Sequence, residues 1–307
     1  MAPDLRRRQL RQRITRNWEL YLMFLPVLIF FIVFHYAPMY GVQIAFKKFS
    51  ATKGIIGSPW RGFYYFEKFF NSYQFPQLMG NTLGLSLYAM AVGFPFPIIL
   101  ALMMNELRSE RLKKTVQTVT YAPHFISTVV MCSMITLYLS PSSGVINTFI
   151  KMLGGEPIYF LGRPEYFKTI YVITGVWQGA GWNSIIYMAA LSGIAPELHE
   201  AATIDGASRL QRIWHVNLPG IAPTAIILLI MQCGSLMSVG FEKVFLLMND
   251  LNRSSAEIIS TYVYQRGLIN RDYSAAAAIG LFNSVINLIM ILTVNAISRR
   301  VSETSLW

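Results

Sequence analysis

Long apolar blocks separated by short polar segments run along the whole chain, the arrangement that a bilayer imposes and a globular core does not. A helix crossing the hydrocarbon needs about 20 mainly apolar residues. Six stretches meet that length: Leu20–Tyr40, Gly80–Met104, Val116–Leu139, Tyr166–Ile194, Ile221–Met248 and Ser274–Ser298. Pro26, Pro95 and Pro97 fall inside them and predict kinks, which membrane bundles tolerate. The pattern predicts an all-α integral membrane protein with six transmembrane helices over 20–298, a leader at 1–19 and a tail at 299–307.

One polar segment is too regular to be a plain linker. Ala195–Pro219 reads APELHEAATIDGASRLQRIWHVNLP. Pro196 suits a first helical position, Glu197 and Glu200 favour the positive end of the same helix, and Leu198, Ala201 and Ala202 share a face. Asp205 and Gly206 interrupt it, since glycine best takes the left-handed conformation that closes a helix. Ser208 and Gln211 then have capping-box spacing, and Leu210, Ile213 and Trp214 give an apolar face to a second short helix set at an angle. Two such short helices are marginal alone in water and need something to pack against. The pattern fits a plug for a groove in another protein, and equally an amphipathic hairpin lying on the membrane face or on its own helix ends.

Composition agrees with the membrane reading: 54% of residues are hydrophobic, 13% are charged, and the mean hydropathy is +0.43. The net charge of +11 raises the question of nucleic acid, but the basic residues sit between and beside the apolar blocks, not along one continuous stripe. Membrane topology accounts for them. Arg6, Arg7, Arg8, Arg11, Arg13 and Arg16 in the leader, Arg108, Arg111, Lys113 and Lys114 after span two, and Arg299 and Arg300 after span six all fall on one side of a six-span bundle. Cytoplasmic segments retain positive charge, so both termini are expected inside. The leader followed by an apolar run also has the outline of a signal peptide, but the run is long and ends in bulky residues, which favours an uncleaved anchor. Cys132 and Cys233 each lie within an apolar block and offer neither a disulfide framework nor a CxxC site.

The run Glu200, Ala201, Ala202, then Asp205, Gly206, Ala207 and finally Leu218, Pro219 resembles the EAA motif of the permease subunits of binding-protein-dependent ABC importers, with every spacing matched. Val216 stands where the motif prefers Ile. The stretches ELYLMFLPVLIFFIVFHYAPMYGVQIAFKKF, FEKVFLLMND and DYSAAAAIGLFNSVINLIM are similar to the branch serving complex oligosaccharides and polysaccharide fragments. This resemblance implies a type I ABC importer permease fold whose helix-turn-helix loop at 195–219 couples to an ATPase. It also implies a bacterial inner-membrane location, a second homologous permease, two copies of a cytoplasmic ATPase subunit holding ATP and Mg, and an extracytoplasmic solute-binding protein. The chain itself shows no G-x-x-x-x-G-K-[ST] loop, HExxH or GxSxG, so no cofactor and no catalytic residue is expected in it.

A sugar path needs hydrogen-bonding groups and aromatic faces within the spans, where polar residues are costly. Span four offers Trp177, Gln178, Trp182, Asn183 and Tyr187, span five Ser235, Ser238 and Glu242, and span six Asn283 and Asn287. Each has a bland rival in helix–helix bonding or interfacial anchoring, and Glu242, beside Lys243, reads as an ion-pair partner for a neighbouring helix. His35, His124, His199 and His215 have no ligand spacing, so no metal site is expected. The outer loops are rich in aromatics, for example Trp60, Phe63, Tyr64, Tyr65 and Phe66, which suits an interfacial belt or a docking surface. Lys47, Lys48, Lys53 and Arg61 beside them would suit an acidic sugar, as would any solvated loop carrying such charges. Rival functions are an ion-coupled secondary transporter, which needs embedded carboxylates or an inverted repeat; a membrane enzyme, which needs a nucleophile with a base; and an ABC permease for a non-sugar solute.

Overall fold

A computed structural model of the chain describes residues 16–301; the leader arginines from Arg6 to Arg13 and the tail beyond residue 301 lie outside the described residues. The main elements are α1 (Trp18–Phe46), α2 (Tyr64–Phe70), α3 (Gln74–Asn105), α4 (Glu110–Phe125), α5 (Thr128–Tyr138), α6 (Val145–Met152), α7 (Pro164–Ser192), α8 (Pro196–Ile204), α9 (Arg209–Gly234), α10 (Phe241–Leu247), α11 (Arg253–Ala256), α12 (Ile259–Tyr264) and α13 (Tyr273–Val301).

Four helices, α1, α3, α9 and α13, are long and apolar enough to cross a bilayer, and a fifth crossing results if α4 and α5 are taken as one bent span. α7 is 29 residues long but less apolar, because Gln178, Asn183, Lys168 and several glycines dilute its hydrophobic face. Span three departs from its predicted form. The stretch expected as one helix is broken, with its halves bent by 98°. Pro123, in a 3₁₀ turn, lacks the N–H a continuing helix needs, and Ser127 in extended backbone caps α5 by accepting the Val130 N–H at 3.4 Å. Span five departs too, stopping at Gly234; residues 235–240 are irregular before α10 resumes.

α1 stands away from the bundle, exposed at every residue from Arg16 to Tyr40. Its end is anchored to the start of α13, where Ser274 Oγ donates to the Lys47 carbonyl at 2.6 Å and accepts from the Phe49 N–H at 3.0 Å. The bundle centres on α7, which packs against both halves of α3, the end of α4, and α9. In lipid such association rests on close packing and small residues instead of on water exclusion. Gly181 supplies the tightest contact, because a Cβ there would run into the Thr120 backbone carbonyl of α4. Three apolar clusters result. One joins α5, α7 and α10 through Met131, Phe167, Tyr171 and Val244; a second joins α2, α12 and α13 through Phe69, Tyr262 and Ile279; the third joins α3, α7 and α9 through Leu102, Leu191 and Ile221.

Candidate functional site

The Ala195–Pro219 segment forms a helical hairpin. α8 starts with Pro196 in its first turn and ends at Ile204, after which Gly206 takes φ +76°. The Ala207 N–H donates to the Ala202 carbonyl at 2.9 Å and the Gly206 N–H to the Thr203 carbonyl at 3.1 Å, the paired bonds of a Schellman motif. Ser208 opens the second arm with a capping box: its N–H donates to Gln211 Oε1 at 2.7 Å, and its hydroxyl accepts the Gln211 N–H at 3.4 Å. Arg212 Nη1 donates to Thr203 Oγ1 at 3.0 Å and ties the two arms together.

The second arm is not a separate helix, as the sequence pattern suggested. It is the start of α9, which continues through a π turn at Ile213–Asn217, so the hairpin's outgoing arm and the first half of span five are one rod. The π turn absorbs the extra residue that lets Leu218 join the cluster around Tyr187 and Ile221 while Trp214 stays outside. Leu198, Ile204, Leu210 and Trp214 are 56%, 87%, 69% and 66% exposed, and Glu200, Ala201, Asp205 and Gly206 lie beside them on the surface. Asn217, by contrast, is fully buried with neither amide atom hydrogen-bonded.

The polar residues within the spans separate into groups. At the break in span three, Gln178 Nε2 donates to the Ile126 carbonyl at 2.8 Å, and Trp182 stacks on His124 with ring centroids 4.4 Å apart and planes 2° from parallel. Phe125 meets the same indole edge-on at 5.7 Å. His124, Phe125 and Trp182 remain exposed, so they form an accessible aromatic platform. At the break in span five, the Met237 N–H donates to Asn287 Oδ1 at 2.9 Å and Asn287 Nδ2 donates to Ser238 Oγ at 2.8 Å, while Ser86 Oγ donates to the Leu236 carbonyl. Ser235 is exposed, with its hydroxyl donating to the Gln232 carbonyl at 3.1 Å. α3 and α13 thus satisfy backbone groups that the missing helical turn releases. The segments beyond the two breaks, α5 and α10, pack on each other.

The other candidates lie elsewhere. Asn183 lines a cavity of about 200 Å³ with Gln232 and Pro97, and Tyr187, which also touches it, is 3% exposed and part of the core. Trp177 faces an apolar groove between α3 and α4, away from the polar groups. Asn283 lines a cleft of about 540 Å³ with Phe241, Tyr264 and Ser260, its Oδ1 buried without a hydrogen bond. Glu242 is exposed and makes no ion pair among the described residues; Lys243 turns inward instead, its Nζ donating to the Tyr171 carbonyl at 2.8 Å and lying 4.7 Å from that ring's centroid. Helical geometry gives the reason, since adjacent residues point about 100° apart and only one can face the bundle. His124, Phe125, Gln232 and Tyr264 were missed in the sequence, because the uninterrupted apolar pattern of span three hid its break and aromatics near a span end read as belt residues.

Residues 93–303, which include the hairpin and both breaks, match the family described as binding-protein-dependent transport system inner membrane component. The chain is 41% identical over 302 residues to the polygalacturonan/rhamnogalacturonan transport system permease protein YteP of Bacillus subtilis strain 168, covering 98% of this chain and 94% of that one. It is 42% identical to protein LplB of the same organism over 96% of this chain and 92% of that one. Among solved structures it is similar to a chain of a bacterial ABC transporter involved in the import of the acidic polysaccharide alginate, with 43% identity, a TM-score of 0.89, and coverage of 96% of this chain and 99% of that one. A second structure of a bacterial alginate ABC transporter, in complex with an alginate pentasaccharide-bound periplasmic protein, matches with 42% identity, the same TM-score and the same coverage. With the family matched over residues 93–303 and these relatives spanning nearly the whole chain, the protein belongs to the binding-protein-dependent transport system inner membrane component family as the permease subunit of an ABC sugar importer.

Proposed function

We propose that this permease carries fragments of an acidic polysaccharide, delivered by an extracytoplasmic binding protein, and that it forms one half of the translocation path opposite a second homologous permease. Relatives at 41–43% identity bear names that concern polygalacturonan, rhamnogalacturonan and alginate, all acidic polymers, and one was solved with a saccharide-loaded periplasmic protein. In this reading both termini and the hairpin face the cytoplasm, and the loops before α3 and after α10 face outward.

The observation that carries the coupling role is the hairpin's construction. Two capped arms present Leu198, Ile204, Leu210 and Trp214 outward, and the second arm is the first stretch of α9, continuous with span five. A force applied to the hairpin by closure of a pair of cytoplasmic ATPase subunits on ATP and Mg is delivered along α9 to the break at 235–240. There Ser238 and Asn287 can exchange their mutual bond for sugar hydroxyls. The platform of Trp182, His124 and Phe125 offers the flat apolar faces that pyranose rings stack on. Glu200, Ala201, Ala202, Asp205, Gly206, Ala207, Leu218 and Pro219 form or flank the ATPase contact; Gln178, Trp182, Ser235, Ser238 and Asn287 serve the path.

The test is a pull-down of the tagged chain from mild detergent with identification of its partners, in wild type and Gly206→Pro. Recovery of a second permease and an ATPase from wild type, with only the ATPase lost from the variant, supports the reading. Recovery of the wild-type chain alone, with uptake independent of ATP, overturns it.

A further inference from the structure

At the end of the bundle opposite the hairpin, the start of α3, the α11 segment and the turn after α12 enclose a cavity of about 620 Å³, within the range of sites that hold small ligands. Its character differs from that of the other cavities. Two guanidinium groups line it. Arg253 is partly buried, its Nε sealed from solvent with no hydrogen-bond partner. Arg266 donates from Nε to the Tyr262 hydroxyl at 2.9 Å and lies 5.3 Å from that ring's centroid, so its forked end is held in place. Arg253 lies within the electrostatic reach of Glu257.

The walls are fixed by hydrogen bonds. Gln77 Nε2 donates to the Ser254 carbonyl at 3.0 Å, the Tyr262 hydroxyl donates to Gln74 Oε1 at 3.2 Å, and buried Asn252 holds α11 by donating to the Leu161 and Leu247 carbonyls at 2.9 and 3.0 Å. A guanidinium is always charged and presents a planar fork that matches a carboxylate. The buried Arg253 Nε lacks an acceptor, and an anion entering the cavity would supply one. Asp250 and Glu257 also line the cavity. Glu257 is buried and shares the field of Arg253 without pairing with it, and burial pushes its carboxyl above the ordinary range. Tyr73, 85% exposed at the rim, offers a ring face for stacking.

We propose that this cavity is a subsite for the carboxylate of a uronic-acid residue, with Arg253 and Arg266 as its anion ligands and Tyr73 as its stacking face. The proposal rests on the reading that the permease carries acidic saccharides and that this end faces outward. The site receives the charged sugar before it reaches the breaks in spans three and five, so it selects for acidic over neutral fragments.

The test uses the complete importer in lipid nanodiscs without its binding protein. Binding of trigalacturonate and of its carboxyl-reduced counterpart is followed by saturation-transfer NMR, and the docking affinity of the loaded binding protein is measured separately. Wild type should bind trigalacturonate at least tenfold more tightly than the reduced sugar, with the preference lost in high salt. Arg253→Gln combined with Arg266→Gln should abolish the preference while elution as an intact complex and docking affinity stay within twofold of wild type. An unchanged preference in the double variant overturns the proposal. So does loss of docking with binding unchanged, which assigns the arginines to contact with the binding protein. If wild type shows no preference yet takes up trigalacturonate with ATP, only the subsite is refuted; if it takes up the reduced sugar alone, the acidic-substrate reading falls as well.

Discussion

Replacing Gly181 by alanine tests whether the α4–α7 contact holds the aromatic platform together. A Cβ at this position would run into the Thr120 carbonyl and lie 3.0 Å from the Thr120 Cβ, where carbon atoms normally sit about 3.5–4.0 Å apart. The neighbours are main-chain atoms, so no side chain can rotate away. The end of α4 must retreat from α7 by roughly 0.5–1 Å or more on that spacing alone. The Gln178–Ile126 hydrogen bond at 2.8 Å tolerates only about 0.4 Å of lengthening before it leaves the normal range, and the His124–Trp182 stack moves with it. Overpacking of this kind costs about 1–3 kcal/mol, and loss of a partly buried hydrogen bond adds about 1 kcal/mol. Taken together, the melting temperature of the solubilised permease should fall by about 5–10 °C. Fluorescence-detected size exclusion after heating measures this, and saccharide uptake by the folded fraction should drop as well. A Gly181→Ala variant that melts and transports like wild type would show that the α4–α7 contact does not hold the platform together.

Asn217→Leu keeps the branched outline of the side chain and removes a buried amide with no partner, so the relief of about 1–3 kcal/mol should offset the packing cost of the bulkier methyl groups and leave the melting temperature at or above that of wild type; a clearly lower melting temperature would contradict this. Gly206→Ala puts a side chain at φ +76° and should cost about 1–2 kcal/mol, read as a weakened ATPase contact in a titrated pull-down, with Glu200→Ala leaving stability unchanged. Trp182→Ala should cut uptake at least tenfold while leaving binding-protein docking within twofold, and Trp177→Ala, on the apolar groove, should leave uptake near wild type. Because burial raises the Glu257 carboxyl, the folded state holds its proton more tightly than the unfolded state. Stability is therefore greatest below the unfolded carboxylate range and declines as pH rises through the raised folded value; Glu257→Gln should flatten that decline in a melting series from pH 4 to 7 (about 4.3 being the unperturbed value).

Most of the architecture was written in residue types whose effects are local. The Schellman turn at Gly206 and the capping box of Ser208 and Gln211 need only neighbours along the chain, so the hairpin was readable, motif and structure alike. What hydropathy cannot register is a break that leaves the composition apolar. Span three bends by 98° because Pro123 and Ser127 end one helix and begin another within an unbroken hydrophobic run, and span five stops at Gly234 with Leu236, Met237 and Val239 still apolar. The second arm of the hairpin is continuous with span five because the π turn at Ile213–Asn217 leads straight into Leu218, and Pro219, just after that turn, does not interrupt the helix. Candidate path residues were legible as polar positions in spans, but their grouping was not. Trp177 and Trp182 are five apart on α7 and face different neighbours, and the partner of Trp182 is His124 from a helix 58 residues earlier, a pairing that only the fold creates.

Uptake of labelled trigalacturonate into proteoliposomes containing this chain with its second permease and ATPase, supplied with loaded binding protein outside and ATP inside, decides whether the permease is an ATP-driven importer of acidic saccharides. Uptake should need both ATP and the binding protein, and Gly206→Pro should abolish it while the permease pair stays assembled. Uptake that proceeds without ATP, or that survives Gly206→Pro at the wild-type rate, would contradict this.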